Sequence, residues 1–227
     1  GLAALFAVAS RKPQAATTFD FGFALGPRIN AAGRLADMTL GIELLTTDDA
    51  ARGEELAGKL DGINRERRDV ESGMREQAEA LAEALMPAGV PPPALTLFDE
   101  GFHEGVVGIV AGRLKDRLHR PTFVFAVGAD GLLKGSGRSI AGFHLRDALD
   151  LVSKRHPGVL RKFGGHAMAA GATIAREDVG TFAQALAAVA EEWLSPAALS
   201  RVLSTDGPLG PEWFNATTVA TLEAQVW

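Results

Sequence analysis

The sequence predicts an α/β fold, a mixed β-sheet flanked by helices, with one long helix ahead of it. Two patterns carry that reading. Strand-like and helix-like segments alternate from residue 94 onward, and a single apolar stripe runs along residues 48–86. At 227 residues, with 47% hydrophobic and 22% charged residues, the chain has the make-up of a globular protein with ample core material. It has no cysteine, which excludes disulfides and thiolate metal sites and suits a reducing cytoplasm. No uninterrupted apolar span of about 18 residues occurs, so neither a membrane-spanning helix nor a membrane partner is expected.

"GLAALFAVAS" reads as a short apolar helix without the basic start of a signal peptide. With Gly at position 1 and "EAQVW" at the end, the chain is expected to be a fragment of a larger protein. A turn at "RKPQAATTFDFG" leads to "LGPRINAAGRLADMTLGIELL", where Pro27 and Gly33 are expected to prevent a single helix. Thr47 and Asp48 are N-cap candidates for the segment that follows. There Leu56, Leu60, Ile63, Val70, Met74, Leu81 and Leu85 define one face of a helix about 58 Å long, with a break expected at Gly62 and a stop at Pro87 and "GVPPP".

Beyond it, "ALTLFD" (94–99) reads as a strand and "GVVGIVAGRLKDRL" (105–118) as a helix. "PTFVFAV" (121–127) and "LLKGSGRSI" (132–140) are strands, and "HLRDALDLVSKR" is a helix. "AGATI" is a further strand, and "REDVGTFAQALAAVAEEWL" (176–194) is an amphipathic helix. After Pro196 the character changes, as at the opening of another module. The expected divisions are 1–47, a connecting helix at 48–86, an α/β domain at 93–195 and a truncated module at 196–227.

The net charge of −5 argues against a polyanionic partner, but its distribution argues for one. Residues 105–175 hold eleven Lys and Arg against four Asp and no Glu. A basic zone on an acidic chain fits one face meeting a polyanion; a scattered solvated surface is the alternative.

Four glycine-containing polar stretches are candidate sites. "LGPRINAAGRL" (25–35), read as a loop, offers Arg28, Asn30 and Arg34, and arginine forks match phosphate geometry. Surface arginines on a capping loop would look the same. "KGSGRS" (134–139) offers Ser136, Arg138 and Ser139, with Gly135 and Gly137 allowing close backbone approach; a tight hairpin turn is the alternative. "GFHEGVVGIVAGRL" (101–114) places His103 and Glu104 before a glycine-rich helix start. Capping or packing explains that pair better than metal ligation, since no third ligand follows. "FGGHAMAAG" (163–171) sets His166 between Gly164 and Gly165 and an alanine run, built to bring backbone N–H groups and one imidazole to a ligand. No carboxylate pair, HExxH or His-rich cluster offers a place for catalytic metals, so none is expected within this chain.

In order and spacing, "GPRINAAGRL", "NRERR", "HEGVVGIVAGRLKDR", "KGSGRS" and "FGGHAMAAG" resemble the C-terminal part of the RecJ family. These are bacterial single-strand-specific DNA exonucleases of the DHH phosphoesterase superfamily. The resemblance covers residues 19–215. It implies that 93–195 is the DHH-associated domain, 48–86 its connecting helix and 1–47 the trailing edge of the catalytic domain. It also implies that "LSTDGPLGPEWF" enters an oligonucleotide-binding (OB) barrel. The implied activity is 5′-to-3′ digestion of single-stranded DNA in repair and recombination. The two Mn²⁺ or Mg²⁺ ions would be held in a DHH domain outside this chain, leaving the isolated fragment inactive and binding no metal. Arg28, Asn30, Arg34, Ser136, Arg138 and His166 are the implied contacts to the 5′ phosphate and backbone, with Gly164 and Gly165 giving close approach and His103 and Ser139 as further candidates. Phe102 keeps the family's aromatic before the histidine; Glu104 replaces its proline, which leaves the role of His103 open. Single-stranded DNA is the implied partner, with a single-strand binding protein and a helicase as further candidates. A small-substrate phosphodiesterase or oligoribonuclease, and a non-catalytic nucleic-acid binding module, are the competing readings.

Overall fold

The computed structural model describes residues 1–86 and 89–225, and the chain divides into two compact units, Gly1–Arg65 with Val202–Trp227, and Glu66–Arg201. Among the described residues no helix is long and apolar enough to cross a membrane.

In the first unit, α1 (Leu2–Val8), α2 (Gly26–Leu35), α3 (Thr39–Thr46) and the start of α4 (Ala50–Ala84) close around Leu5, Phe6, Leu25, Ala32, Leu44, Leu56 and Leu60. The stretch 25–35, expected as a loop, is helix α2. Pro27 follows directly on a π-helical turn, Asp20–Leu25, and the wider turn ahead of it lets the chain stay helical through the proline. Gly33 near its end is tolerated because Ala31 and Ala32 are buried and anchor the turn.

Helix α4 runs 35 residues without the break expected at Gly62. The ion pair Asp61–Arg65 (2.6 Å) spans that glycine, and Glu55–Lys59 (2.6 Å) supports the turn before it. Its N-cap is Asp49, whose carboxylate accepts from the N–H groups of Ala51 (2.9 Å) and Arg52 (3.2 Å); Thr47 instead accepts from the Asp49 N–H. Late in α4 the buried residues are Met74, Ala78 and Ala82, one turn apart, whereas Leu85 is exposed. Pro87, the expected stop, lies outside the described residues; regular helix ends at Ala84.

The second unit is a five-stranded sheet flanked by helices. Its strands β1 (Leu95–Phe98), β2 (Thr122–Val127), β3 (Leu133–Arg138), β4 (Leu160–Gly165) and β5 (Ala169–Ile174) lie in the order β1-β2-β3-β5-β4. β1 and β2 are parallel and every other pair is antiparallel, so the sheet is mixed as expected. The helices are α5 (Val107–Leu118), α6 (Leu145–Arg155) and α7 (Val179–Trp193). Strand β4 is not among the elements expected from the sequence, and "FGGHAMAAG" is the meeting of β4 and β5 around a turn.

Strand alternation assigns the two faces. Phe123, Phe125, Leu133, Ala170, Ala172 and Ile174 point into a core with Leu145, Leu149, Phe182, Leu186 and Val189 of α6 and α7. Phe182 meets Phe123 and Phe125 edge-on, each at 5.2 Å between centroids. On the opposite face α5 packs across β2 and β3, with Val107, Val110, Ala111 and Leu114 buried.

Gly135 and Gly137 face the aromatic core, not a ligand. A Cβ on Gly135 would run into the Phe125 ring, and one on Gly137 into Phe123 and Leu145. The segment expected to open a barrel forms α8 (Ala216–Glu223), capped by Asn215, and no strand among the described residues. That it leads into a barrel is a proposal resting on the resemblance.

Gly137→Ala should destabilise the chain by about 1–3 kcal/mol through overpacking against Phe123. The loss would register as a lower urea midpoint at an unchanged m-value.

Candidate functional site

The outward positions of β3 are Lys134, Ser136 and Arg138, alternating with Leu133, Gly135 and Gly137. Arg138 donates from Nη1 to Ser136 Oγ (2.9 Å) and to the Gly137 carbonyl (2.9 Å), which draws the two polar side chains together on one face. Above them lies the first turn of α5. A Cβ on Gly108 would stand 2.9 Å from both Arg138 Nη2 and Ser136 Oγ, and one on Gly112, a turn later, 4.0 Å from Arg138 Cγ. The two glycines therefore form the trough in which Arg138 lies against the helix. A guanidinium and a hydroxyl beside the positive end of a twelve-residue helix make an anion site by residue chemistry.

His166 sits in the turn between β4 and β5, its backbone N–H donating to the Ala169 carbonyl (2.8 Å), while Ala169 pairs with Arg138 across the sheet. His166, Ala169 and Arg138 thus form a lateral row at one end of the sheet. With adjacent strands about 4.8 Å apart, the outer two backbones stand roughly 10 Å from each other. The hairpin tip is fixed from behind: the Leu145 N–H donates to the Ala167 carbonyl (2.9 Å) and the Ser139 N–H to the Met168 carbonyl (3.0 Å). Gly165 has φ +143°, a conformation that favours glycine, so the turn alone accounts for it. Gly164 has no such reason. It is exposed, its φ is not positive, and a Cβ there would meet nothing within 4 Å.

Two further candidates are spoken for by the fold. Ser139 is buried, and its hydroxyl donates to the Phe143 carbonyl (2.6 Å), holding the β3–α6 connection. His103 accepts from the Gly105 N–H through Nδ1 (3.0 Å), a local turn contact ahead of α5, whose N-cap Val106 carries no side-chain cap bond. Among the described residues no group of three or more His, Cys, Asp or Glu is placed to hold a metal ion.

Arg28, Asn30 and Arg34 belong to the first unit. Arg28 donates from Nε to Asp61 (2.9 Å) and from Nη1 to the Ala24 carbonyl (2.6 Å), largely buried, and so ties α2 to α4. Asn30 and Arg34, four residues apart, share an exposed face of α2. Sequence reasoning missed Gly108 and Gly112. Their signal was available as a glycine pair at i, i+4 on a predicted helix, the spacing that clears a helix face for a neighbour.

Residues 92–193 match the DHHA1 domain family. The single-stranded-DNA-specific exonuclease RecJ of Dickeya dadantii is 46% identical over the whole chain, which spans 40% of that relative's length. The corresponding protein of Escherichia coli is 46% identical over 93% of the chain and 37% of its own length. The crystal structure of Thermus thermophilus RecJ in complex with Mn²⁺ superposes with a TM-score of 0.72 at 32% identity, covering 86% of this chain and 27% of that one. A second structure of the same protein, in complex with Mg²⁺, gives the same score. The chain thus spans about two fifths of the curated relatives it matches. On these grounds the chain is similar, over its whole length, to the part of the RecJ exonucleases that is built around a DHHA1 domain.

Proposed function

We propose that this chain is the strand-holding part of an exonuclease that digests single-stranded DNA from its 5′ end in repair and recombination. The observation that carries the proposal is the joined pair Ser136–Arg138 on the outward face of β3, seated under the glycine-cleared first turn of α5. A terminal phosphate offers two charges and several acceptor oxygens, and a guanidinium fork with a neighbouring hydroxyl suits it. His166 at the same sheet end, with the bare backbone of Gly164, would complete the contacts of this unit. On the resemblance alone, Arg28, Asn30 and Arg34 stay proposed strand contacts of the first unit, taken by itself.

The relatives' printed names and the Mn²⁺ and Mg²⁺ complexes of the Thermus thermophilus protein support a metal-dependent hydrolase. The residues present here do not fit a two-metal centre, so we assign the ions to a DHH domain outside this chain. Such ions supply water activation and stabilise the leaving oxygen. The residues of this chain bind and orient: they fix the register of the strand, so that the first phosphodiester falls where hydrolysis occurs. Action on bacterial DNA would place the protein in the cytoplasm. A single-strand binding protein and a helicase remain proposed partners on the resemblance alone.

A fluorescence anisotropy titration should find the chain binding 5′-phosphorylated oligothymidylate more tightly than its 5′-hydroxyl counterpart. Arg138→Ala should erase that preference, at a cost of roughly tenfold or more in affinity, while leaving the melting temperature near that of the unmodified chain. A preference that survives Arg138→Ala would sink the assignment.

Gly108→Ala should cost little stability, because its methyl crowds only the movable ends of the Arg138 and Ser136 side chains. It should nevertheless lose the 5′-phosphate preference as the new methyl displaces Arg138. Incubated with a labelled single strand and Mn²⁺, the purified chain should release no nucleotide; turnover would overturn the division of labour.

A further inference from the structure

The sheet face that carries Ser136 and Arg138 is covered by α5 over β2 and β3 only. Across β5 and β4 the same face is open, a shallow groove of about 410 Å³ lined by Lys134, Gly135, Lys162, Gly164, Gly171 and Thr173, with Phe163 and Ala172 contributing from the strands beneath. Register sets out its floor. Lys134 pairs with Thr173 and Thr173 with Lys162, one row across three strands; Ser136 pairs with Gly171 and Gly171 with Gly164, the next row along. A lysine therefore stands at each side of a trough whose centre is bare peptide. One edge of it adjoins Ser136, two residues or about 6.8 Å along β3 from Lys134.

Two glycines of this trough, Gly164 and Gly171, have no reason in the fold, whereas Gly135 has one in the Phe125 ring. A Cβ on Gly164 would meet nothing within 4 Å, and one on Gly171 would reach only the Gly135 carbonyl at 3.7 Å, an ordinary contact. Neither has a positive φ. Glycine weakens a strand interior, and where neither packing nor conformation demands it, close approach of something else does. The chemistry at the rim is cationic. Lys134 holds Asp130 (2.7 Å), while Lys162 is exposed and makes no ion pair among the described residues.

We propose that this open half-sheet is a second subsite, which seats the phosphodiester backbone of the single strand beyond its 5′ end. Lys162 and Lys134 take successive phosphates and the glycine floor admits the backbone between them. The inference rests on the 5′-phosphate reading of Ser136 and Arg138 for its placement, and it makes the strand, not a mononucleotide, the unit recognised. The trough is two strand spacings wide, roughly 10 Å, which suits one extended backbone and not a duplex.

The test titrates the chain and two variants with a 5′-phosphorylated thymidine dinucleotide and with a long 5′-phosphorylated oligothymidylate, at several salt concentrations. Lys162→Ala should weaken the long strand on the order of fivefold and flatten its salt dependence by about 0.7 in log–log slope, the release expected for one single-strand phosphate. Its affinity for the dinucleotide should not change. Gly171→Val, which the fold has room for, should melt no lower and bind the long strand more weakly.

An unaltered slope for Lys162→Ala, an equal loss on both ligands, or wild-type binding by Gly171→Val would each overturn the second subsite. Failure of the underlying reading looks different: the unmodified chain would then show no preference for a 5′ phosphate, whatever Lys162 does.

Discussion

The functional face of this chain depends on how tightly β3 is held between its neighbours. On one side the rings of Phe123 and Phe125 leave no space for a side chain at Gly137 or Gly135. On the other, Gly108 and Gly112 bring α5 down onto Arg138. Because side chains alternate along a strand, inward positions that admit only hydrogen force the polar residues to the outward ones. The pattern of "LKGSGR" is thus a packing solution and, on the proposed reading, a binding surface at once. A one-residue slip in register would bury Arg138 among phenylalanines, which the core could not accommodate. Register is therefore enforced from the aromatic side, and the ligand side inherits its precision of placement from it.

Much of this was legible in the sequence, and the failures share one cause. The alternation of strands and helices, the long helix and the mixed sheet follow from apolar periodicity, which survives into the structure because the core selects it. Glycine and proline were the ambiguous letters. Pro27 is carried inside a helical stretch, Gly62 interrupts none, and Gly135 and Gly137 serve the core where close approach to a ligand was expected. For the last two the deciding fact is a neighbour distant in sequence, the rings of Phe125 and Phe123; for the first two it is the helical turn around them. Strand β4 escaped notice because "LRKFGG" shows charged and glycine positions where apolar alternation would be looked for, as befits an edge strand with one open face. Ser139 and Ser136 look alike in the motif; only their position relative to the end of β3 sends one inside and leaves the other on the face.

Arg28 shows how an arginine chosen for phosphate chemistry can be claimed by the fold. Its partner Asp61 lies 33 positions away on α4, and both side chains are mostly withdrawn from solvent. A pair so placed fixes α2 more than it strengthens the unit, since removing one member would strand the other beside only Arg65. What α2 then presents outward is Asn30 and Arg34, one turn apart. The pairing turns a flexible side chain into a strut, and the strut sets the face that the other two residues share.

The arrangement of acids carries the same argument one step further. Within the basic segment, Asp116, Asp130, Asp147 and Asp150 each engage a cation within four residues: Lys115, Lys134, Arg146 and Lys154. Local pairing of this kind neutralises a carboxylate where it stands instead of letting it reach across the sheet. Three of the four sit on helices and the fourth on the β2–β3 turn, so no strand side chain of the open face is acidic. A metal centre would demand the reverse, carboxylates converging at one point, and those would compete with any phosphate for Arg138. On the proposed reading, in which another domain holds the ions, that conflict does not arise. It explains why a chain with a negative net charge holds one face of its sheet free of acids, and why that face is built on strands, whose spacing is fixed, instead of on loops, whose spacing is not.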